Sequence, residues 1–548
     1  MIRTIKANYT DVIKRQSYVA NISFNDKILS IEKVNDNVDP SLDFCVPGLI
    51  DSHVHIESSM LVPQGFARMV IPHGTVAAVC DPHEIANVLG EEGVRFMMRD
   101  AAKSPFRFFF AIPSCVPATP FETNGATFGP DEIARLMPDG VALAEMMNYP
   151  GLLAHDSKVM AEMKIAKDAG KPVDGHIPGI TDDRLKRYVA EGVSTDHESF
   201  TLDEARAKLD LGMKILIREG SAARNLDALM PLFHTDPDKI MACTDDAHPD
   251  DIRDRGHIDK FFRRALADKA DVYDIFQVLT LNPIEHYKLD VGRLQVGDRA
   301  DFVVLSDFNK FTVRSSFIGG EKVYDAEQGV VFRPSRSERP NNFISRSFSD
   351  DDFKVVAPHD NPTLRIIGLI PDQIVSEAQE WTPEVEKGSE VLADEGRDIM
   401  KIAVINRYTD IPVVNGFISG TGLKCGAMAS SIAHDSHNVV VIGRDAHSMR
   451  LAAEAMFRIK GGIVVISVEG EVNRLQLPVA GLMTSDDWND VADNYQRLIR
   501  TVRMKNGVTL KSPFMTMAFM CLLVIPSLKI GDRGLFDVDN FQLTTLFK

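Results

Sequence analysis

The chain has 548 residues, 44% of them hydrophobic and 25% charged, with a formal net charge of −17. That length exceeds one ordinary core and predicts two or three domains. The acidic balance excludes a nucleic-acid backbone as partner, since that needs a basic surface. Six scattered cysteines without a CxxC pair suit free thiols in a reducing compartment better than a disulfide framework. The start, "MIRTIKANYTDVIKRQ", lacks the apolar core of a signal peptide. The longest apolar stretch, "FMTMAFMCLLVIPSL", is broken at Pro526 and is too short for a membrane span. These features predict a soluble cytoplasmic protein with no membrane partner.

Residues 1 to 45 read as short alternating strands, as in "SYVANISFNDKILSIEKV". The same texture returns in "VGRLQVGDRADFVVLSDFNKFTVRSSFIGGEKVYD". The two pieces, 1–45 and 286–340, are expected to pair into one small composite β-sandwich domain. Between them, residues 46–285 alternate strand and helix. The eight strand candidates are "FCVPGLIDSHVH", "TVAAVCDPHE", "FRFFFAIPSCVPA", "VALAEMMNYPG", "KPVDGHIPG", "GVSTDHES", "MKILIREGSA" and "KIMACTDDAHP". Eight strands, each followed by a helix-length segment, predict an α/β fold of the (β/α)8 barrel type. A doubly wound open sheet is the alternative. After the linker-like "FRPSRSERPNNFISRSFSDDD", residues 350–548 mix strands and helices and form a C-terminal α/β (α+β) domain.

In a barrel, chemistry collects at the C-terminal ends of the strands. The first candidate strand runs into "DSHVHIESSM", where alternation puts His53, His55 and Glu57 on one face. The fourth carries Glu145, the fifth ends at His176, the sixth at His197 and the eighth at Asp245 and Asp246. Histidines and carboxylates thus recur at one rim, which predicts a metal centre. His53, His55, Glu145, His176, His197 and Asp245 exceed the needs of one four-coordinate ion and suit two divalent ions. With nitrogen and oxygen ligands alone, Mn²⁺, Fe²⁺ and Zn²⁺ are all compatible.

The segments "PGLIDSHVHIESS", "DPHEIANVLG", "GHIPGI", "STDHESF", "REGSAARNL", "CTDDAHPDD" and "SGTGLKCGAMASSIAHDSHNVVVIG" resemble the amidohydrolase superfamily and, within it, the bacterial adenine deaminases. The resemblance runs through essentially the whole chain. It implies a metal-dependent hydrolysis of adenine to hypoxanthine and ammonia by a metal-bound hydroxide, with Mn or Fe as the expected metal, and a homo-oligomer. Many amidohydrolases bridge their metals with a carboxylated lysine on the fourth strand. Here "ALAEMMNYPG" offers Glu145 instead, whose two oxygens can span two cations. Asp245 is then the proton carrier, with Asp246 as its substitute. The alternatives are another amidohydrolase acting on an N6-substituted adenine or a cyclic amide, and an inactive barrel serving as a binding module.

Substrate contacts are expected from Arg218, Glu219 and Ser221 in "REGSAARN" and from Ser114 on the third strand. Glu219 is a second candidate for proton transfer, at a ring nitrogen, although Arg218 and Glu219 can equally pair with each other. His83 and Glu84, with Glu57 and Asp246, are candidates to hold the ligands by hydrogen bonds or to bind a further metal. His434, Asp435 and His437 are read either as a lid or as a polar cluster inside their own domain.

Overall fold

The computed structural model describes residues 1–221, 223–370 and 373–548. The chain forms two compact units. One comprises Met1–Pro82, Arg95–Ser114 and Gly129–Ser337; the other comprises His83–Val94, Cys115–Phe128 and Glu338–Lys548. Two segments lying within the sequence span of the barrel therefore cluster with the C-terminal region.

The first unit holds eight parallel strands in chain order: β1 (Leu49–Val54), β2 (Thr75–Cys80), β3 (Arg107–Ile112), β4 (Ala142–Met146), β5 (Val173–Gly175), β6 (Thr195–Asp196), β7 (Lys214–Arg218) and β8 (Ile240–Cys243). A bridge between Val173 and Val193 joins β5 to β6. A bridge between Val54 and Asp245 brings the end of β8 back to β1, so the ring closes. Most of these strands are buried along their whole length, as in β1, β2 and β4. That is the mark of parallel strands covered on both faces, and it explains their continuous apolar runs.

The closing bonds involve the polar rim itself. The Asp245 N–H donates to the His53 carbonyl at 3.0 Å, and the His55 N–H donates to the Asp245 carbonyl at 3.2 Å. The last strand is thus registered to the first through residues expected to bind metal.

Both flanking pieces of the first unit join one eight-stranded sheet. Arg3–Asp11 pairs antiparallel with Gln16–Phe24, and Phe44–Pro47 joins Arg3–Asp11 to Phe302–Leu305. Phe24, Phe302 and Phe317 meet there with ring centroids 4.6 to 5.5 Å apart, at the centre of a core that also takes in Ile22, Ile28 and Leu294.

The second unit is built on a different, mostly antiparallel eight-stranded sheet that includes Ile399–Ile405, Val439–Gly443 and Gly462–Ile466. The helix Ala446–Ile459 packs Met449, Ala453 and Met456 onto Val439, Val441 and Val464. Its start is fixed by Asp445, whose carboxylate accepts from the Ser448 amide at 2.8 Å. Among the described residues, no helix is long and apolar enough to cross a membrane.

Candidate metal centre

Four histidines and two carboxylates leave the C-terminal ends of β1, β4, β5, β6 and β8 and converge inside the first unit. His53 is the fifth residue of β1, and His55 follows its end. Alternation keeps both on the inner face. His55 Nε2 lies 3.2 Å from His53 Nε2, 3.0 Å from Asp245 Oδ1 and 3.3 Å from Glu145 Oε1. His53 Nε2 lies 3.4 Å from the same Asp245 oxygen, and its ring stacks on His197 at 4.4 Å. The other Glu145 oxygen, Oε2, is 2.6 Å from His176 Nδ1 and 3.3 Å from His197 Nε2. One carboxylate therefore faces His55 with one oxygen and His176 and His197 with the other.

His55 decides what this arrangement needs. Its Nδ1 sits 3.0 Å from the Asp81 carbonyl oxygen, which can only accept. Nδ1 therefore carries a proton; burial disfavours a second one, but Asp245 and Glu145 more than reverse this and hold the imidazole well above its ordinary value, so Nε2 meets them with either a proton or a cation. Nε2 faces a carboxylate oxygen of Asp245, one of Glu145 and a nitrogen of His53. Carboxylates buried among imidazoles need positive charge, which protons on the rings or a bound cation can supply. The donor set is all imidazole and carboxylate, which fits a first-row divalent ion.

Arg218, at the end of β7, fixes the outer side. Its Nη1 donates to Asp245 Oδ2 at 2.8 Å, and its guanidinium grips both oxygens of Glu198, with Nη2 to Oε2 at 2.9 Å. Burial alone pushes the Asp245 carboxyl up; Arg218, then His53 and His55, more than reverse this and hold it well below the carboxylate range. The same contest at Glu145 is won by His176 and His197. Asp245 also has a left-handed backbone, φ 55°, a cost for a non-glycine residue that tends to persist at functional sites.

Residues 44–323 match the amidohydrolase family, and residues 373–542 match the adenine deaminase C-terminal domain. An adenine deaminase from Methanosarcina mazei is 46% identical over 552 residues, covering 98% of each chain. Another, from Sulfurovum sp., is 43% identical with the same coverage. Among solved structures, a β-aspartyl dipeptidase from Fervidobacterium islandicum aligns with 62% of this chain and all of its own, at 16% identity and a TM-score of 0.47. The chain belongs to the adenine deaminase family of amidohydrolases.

The remaining expected residues of this family member fall into three places. Some support the cluster: Ser114 Oγ donates to the Glu145 backbone carbonyl at 2.8 Å, steadying the end of β4. Asp246 takes a hydrogen bond from Ser58, so Asp245 is the carboxylate that faces the histidines. Glu57 lies on a 3-10 turn, Ile56–Ser59, where the period-two alternation expected of it has ended.

Others point elsewhere. Glu219 follows the end of β7 and turns away from Arg218. Glu219 Oε1 accepts from the Leu226 amide at 3.3 Å, and the residue lines a cavity of about 400 Å³ with Arg224, Lys260 and Arg264. The expected Arg218–Glu219 pair is replaced by Arg218 with Glu198 and Asp245. Ser221 Oγ accepts from the His248 amide at 2.8 Å, a bond that ties the loop after β7 to the loop after β8.

The third group belongs to the second unit. Glu84, at the start of the helix His83–Leu89, meets His434 and His437, which lie some 350 residues further along the chain. His83 Nε2 is 3.7 Å from Glu84 Oε1. Asp435 is buried beside them.

Glu198 was not singled out from the sequence. It follows His197 in "STDHES", and β6 ends at Asp196. Past the strand end, alternation no longer sends neighbours apart, so both residues turn to the same rim. A glutamate beside a strand-end histidine is the signal that would have found it.

Proposed function

We propose that this chain hydrolyses adenine to hypoxanthine and ammonia in purine salvage, with two divalent ions, Mn²⁺ or Fe²⁺, held by His53, His55, Glu145, His176, His197 and Asp245. The observation that carries the reading is the acceptor-rich cluster around His55 Nε2, in a chain whose full length matches relatives named adenine deaminase. That all six cysteines are free supports a reducing, cytoplasmic setting.

Bound there, the ions lower the pKa of water from about 15.7 towards roughly 7, making hydroxide available at neutral pH. The chain supplies orientation and proton transfer. Arg218 holds Asp245 Oδ2 and so aims Oδ1 at the cluster. Ser114, through the Glu145 carbonyl, and the Asp81 carbonyl, through His55 Nδ1, keep two further groups in place. Hydroxide adds to adenine C6, and the proton released in forming it ends on N1. Asp245 takes the proton of the added hydroxyl and passes it to N6, which leaves as ammonia while C6 becomes a carbonyl. The 3.0 Å approach of Asp245 Oδ1 to His55 Nε2 supports Asp245 as the proton carrier. Glu219 instead lines the cavity with Arg224, Lys260 and Arg264.

The test is to incubate the Mn²⁺-loaded full chain with adenine, N6-methyladenine and dihydrouracil. The expected result is ammonia from adenine, without comparable methylamine release or ring opening. Turnover of either alternative well above that of adenine would overturn the substrate. Asp245→Asn should keep most of its metal and lose about 10²- to 10⁴-fold in kcat. Near-normal turnover would reject the role of Asp245.

A further inference from the structure

Within the second unit, Glu84, His434 and His437 bring one carboxylate and two imidazoles together. His434 Nδ1 lies 2.6 Å from Glu84 Oε1, and His437 Nε2 contacts Oε2. The three ligand atoms lie within 4.8 Å of one another. Side-chain exposure is 4% for His434, 1% for His437 and 3% for Glu84, so all three are buried.

We propose that these three residues form a metal site of their own, taking one first-row divalent ion, of the Zn²⁺ or Fe²⁺ class, in addition to those of the barrel cluster. Two histidines and one carboxylate are a sufficient protein donor set for such ions, with the remaining positions left to water or ligand. The fold invests in the arrangement. His434 and His437 stand three residues apart on one turn, with His437 in the left-handed region at φ 53°. The His434 ring is stacked on Phe519 at 4.6 Å, which fixes its plane.

The surroundings also favour a cation. Asp435 is buried beside the triad, with its Oδ1 3.9 Å from His434 Nδ1. The Ala433 amide donates to His437 Nδ1 at 3.3 Å. A bound ion at Nε2 moves the ring proton to Nδ1, so this long contact must open on loading. The competing arrangement is an ion-free triad in which both rings donate to Glu84.

The two are separated by counting metal in the full-length protein after chelation and reloading with Zn²⁺. The double variant H434Q/H437Q should bind one ion per chain fewer than wild type while keeping the barrel complement. An equal count in a folded double variant would overturn the proposal. A second measurement needs no variant. Zn²⁺-loaded wild-type crystals should show an anomalous-scattering peak within about 2.0–2.3 Å of Glu84, His434 and His437. Its absence, with the barrel cluster occupied, would establish a hydrogen-bonded triad only.

Discussion

Two buried polar clusters in the first unit look alike in composition and differ in what they lack. Lys208 is fully buried, and its three ammonium protons are shared among the Ile177 carbonyl, Asp196 Oδ2, Ser199 Oγ and Glu204 Oε1, which lie at 2.7 to 3.1 Å. Asp196 in turn accepts from the Ile177 and Glu198 amides and from Ser199. Donors meet acceptors throughout, and nothing further is needed. One residue along the chain, His197 enters a cluster of imidazoles and carboxylates in which a bound cation can take the place of ring protons. Burial and charge are common to both. Side chains placed to give lone pairs to a cation converge in one alone, and that is the difference between them.

The sharpest way to break this contrast is to remove the cation. Chelation should reduce adenine turnover to background, and reloading with Mn²⁺ or Fe²⁺ should restore it. Reloading should also raise thermal stability, by about 2.7 kcal/mol at a free ion concentration 100 times the dissociation constant. Turnover that survives exhaustive chelation, confirmed by elemental analysis, would show that the histidine cluster satisfies itself as Lys208 does.

The complementary change breaks the self-sufficient cluster. Lys208→Met leaves Asp196 and Glu204 buried without their cation, which should cost about 3–5 kcal/mol. The folded fraction should nevertheless hold the wild-type number of ions. A stability loss below about 1 kcal/mol, read from thermal unfolding of the metal-loaded chain, would mean that the lysine network does not hold the β6 end together.

The sequence displayed one of these clusters far better than the other. Metal-ligand candidates are rare residue types at strand ends, so His53, His55, Glu145, His176, His197 and Asp245 could be read from eight short apolar runs. The barrel followed from the same runs, because parallel strands buried on both faces carry continuous hydrophobic sequence. Pairings across the fold left no such trace. Nothing local says that Arg218 reaches Glu198 rather than its neighbour Glu219, nor that Glu84 meets histidines from the far end of the chain. The lysine network was equally hidden, since Lys208 sits in a helix, Leu202–Asp210, whose sequence reads as an ordinary charged surface.

Glu162 supplies the smallest test and an intermediate case. It lies on the helix Ser157–Asp168 with 2% exposure; its Oε1 has no hydrogen-bond partner, and its nearest cation, Lys158, is 3.9 Å away. Burial pushes its carboxyl up to about 7, with Lys158 opposing only part of the effect. It has neither the donors that surround Asp196 nor the convergent ligands around Glu145, so the cheaper answer is to keep its proton. A folded-state pKa above the unfolded value means that the folded form holds the proton more tightly. Stability is therefore full below about pH 4.5 and falls as pH rises through 7. Glu162→Gln removes that loss. The variant should match wild type at pH 4.5 and exceed it at pH 8, by up to about 3 kcal/mol. Parallel melting curves across that range would show instead that the carboxylate finds compensation as complete as that around Lys208.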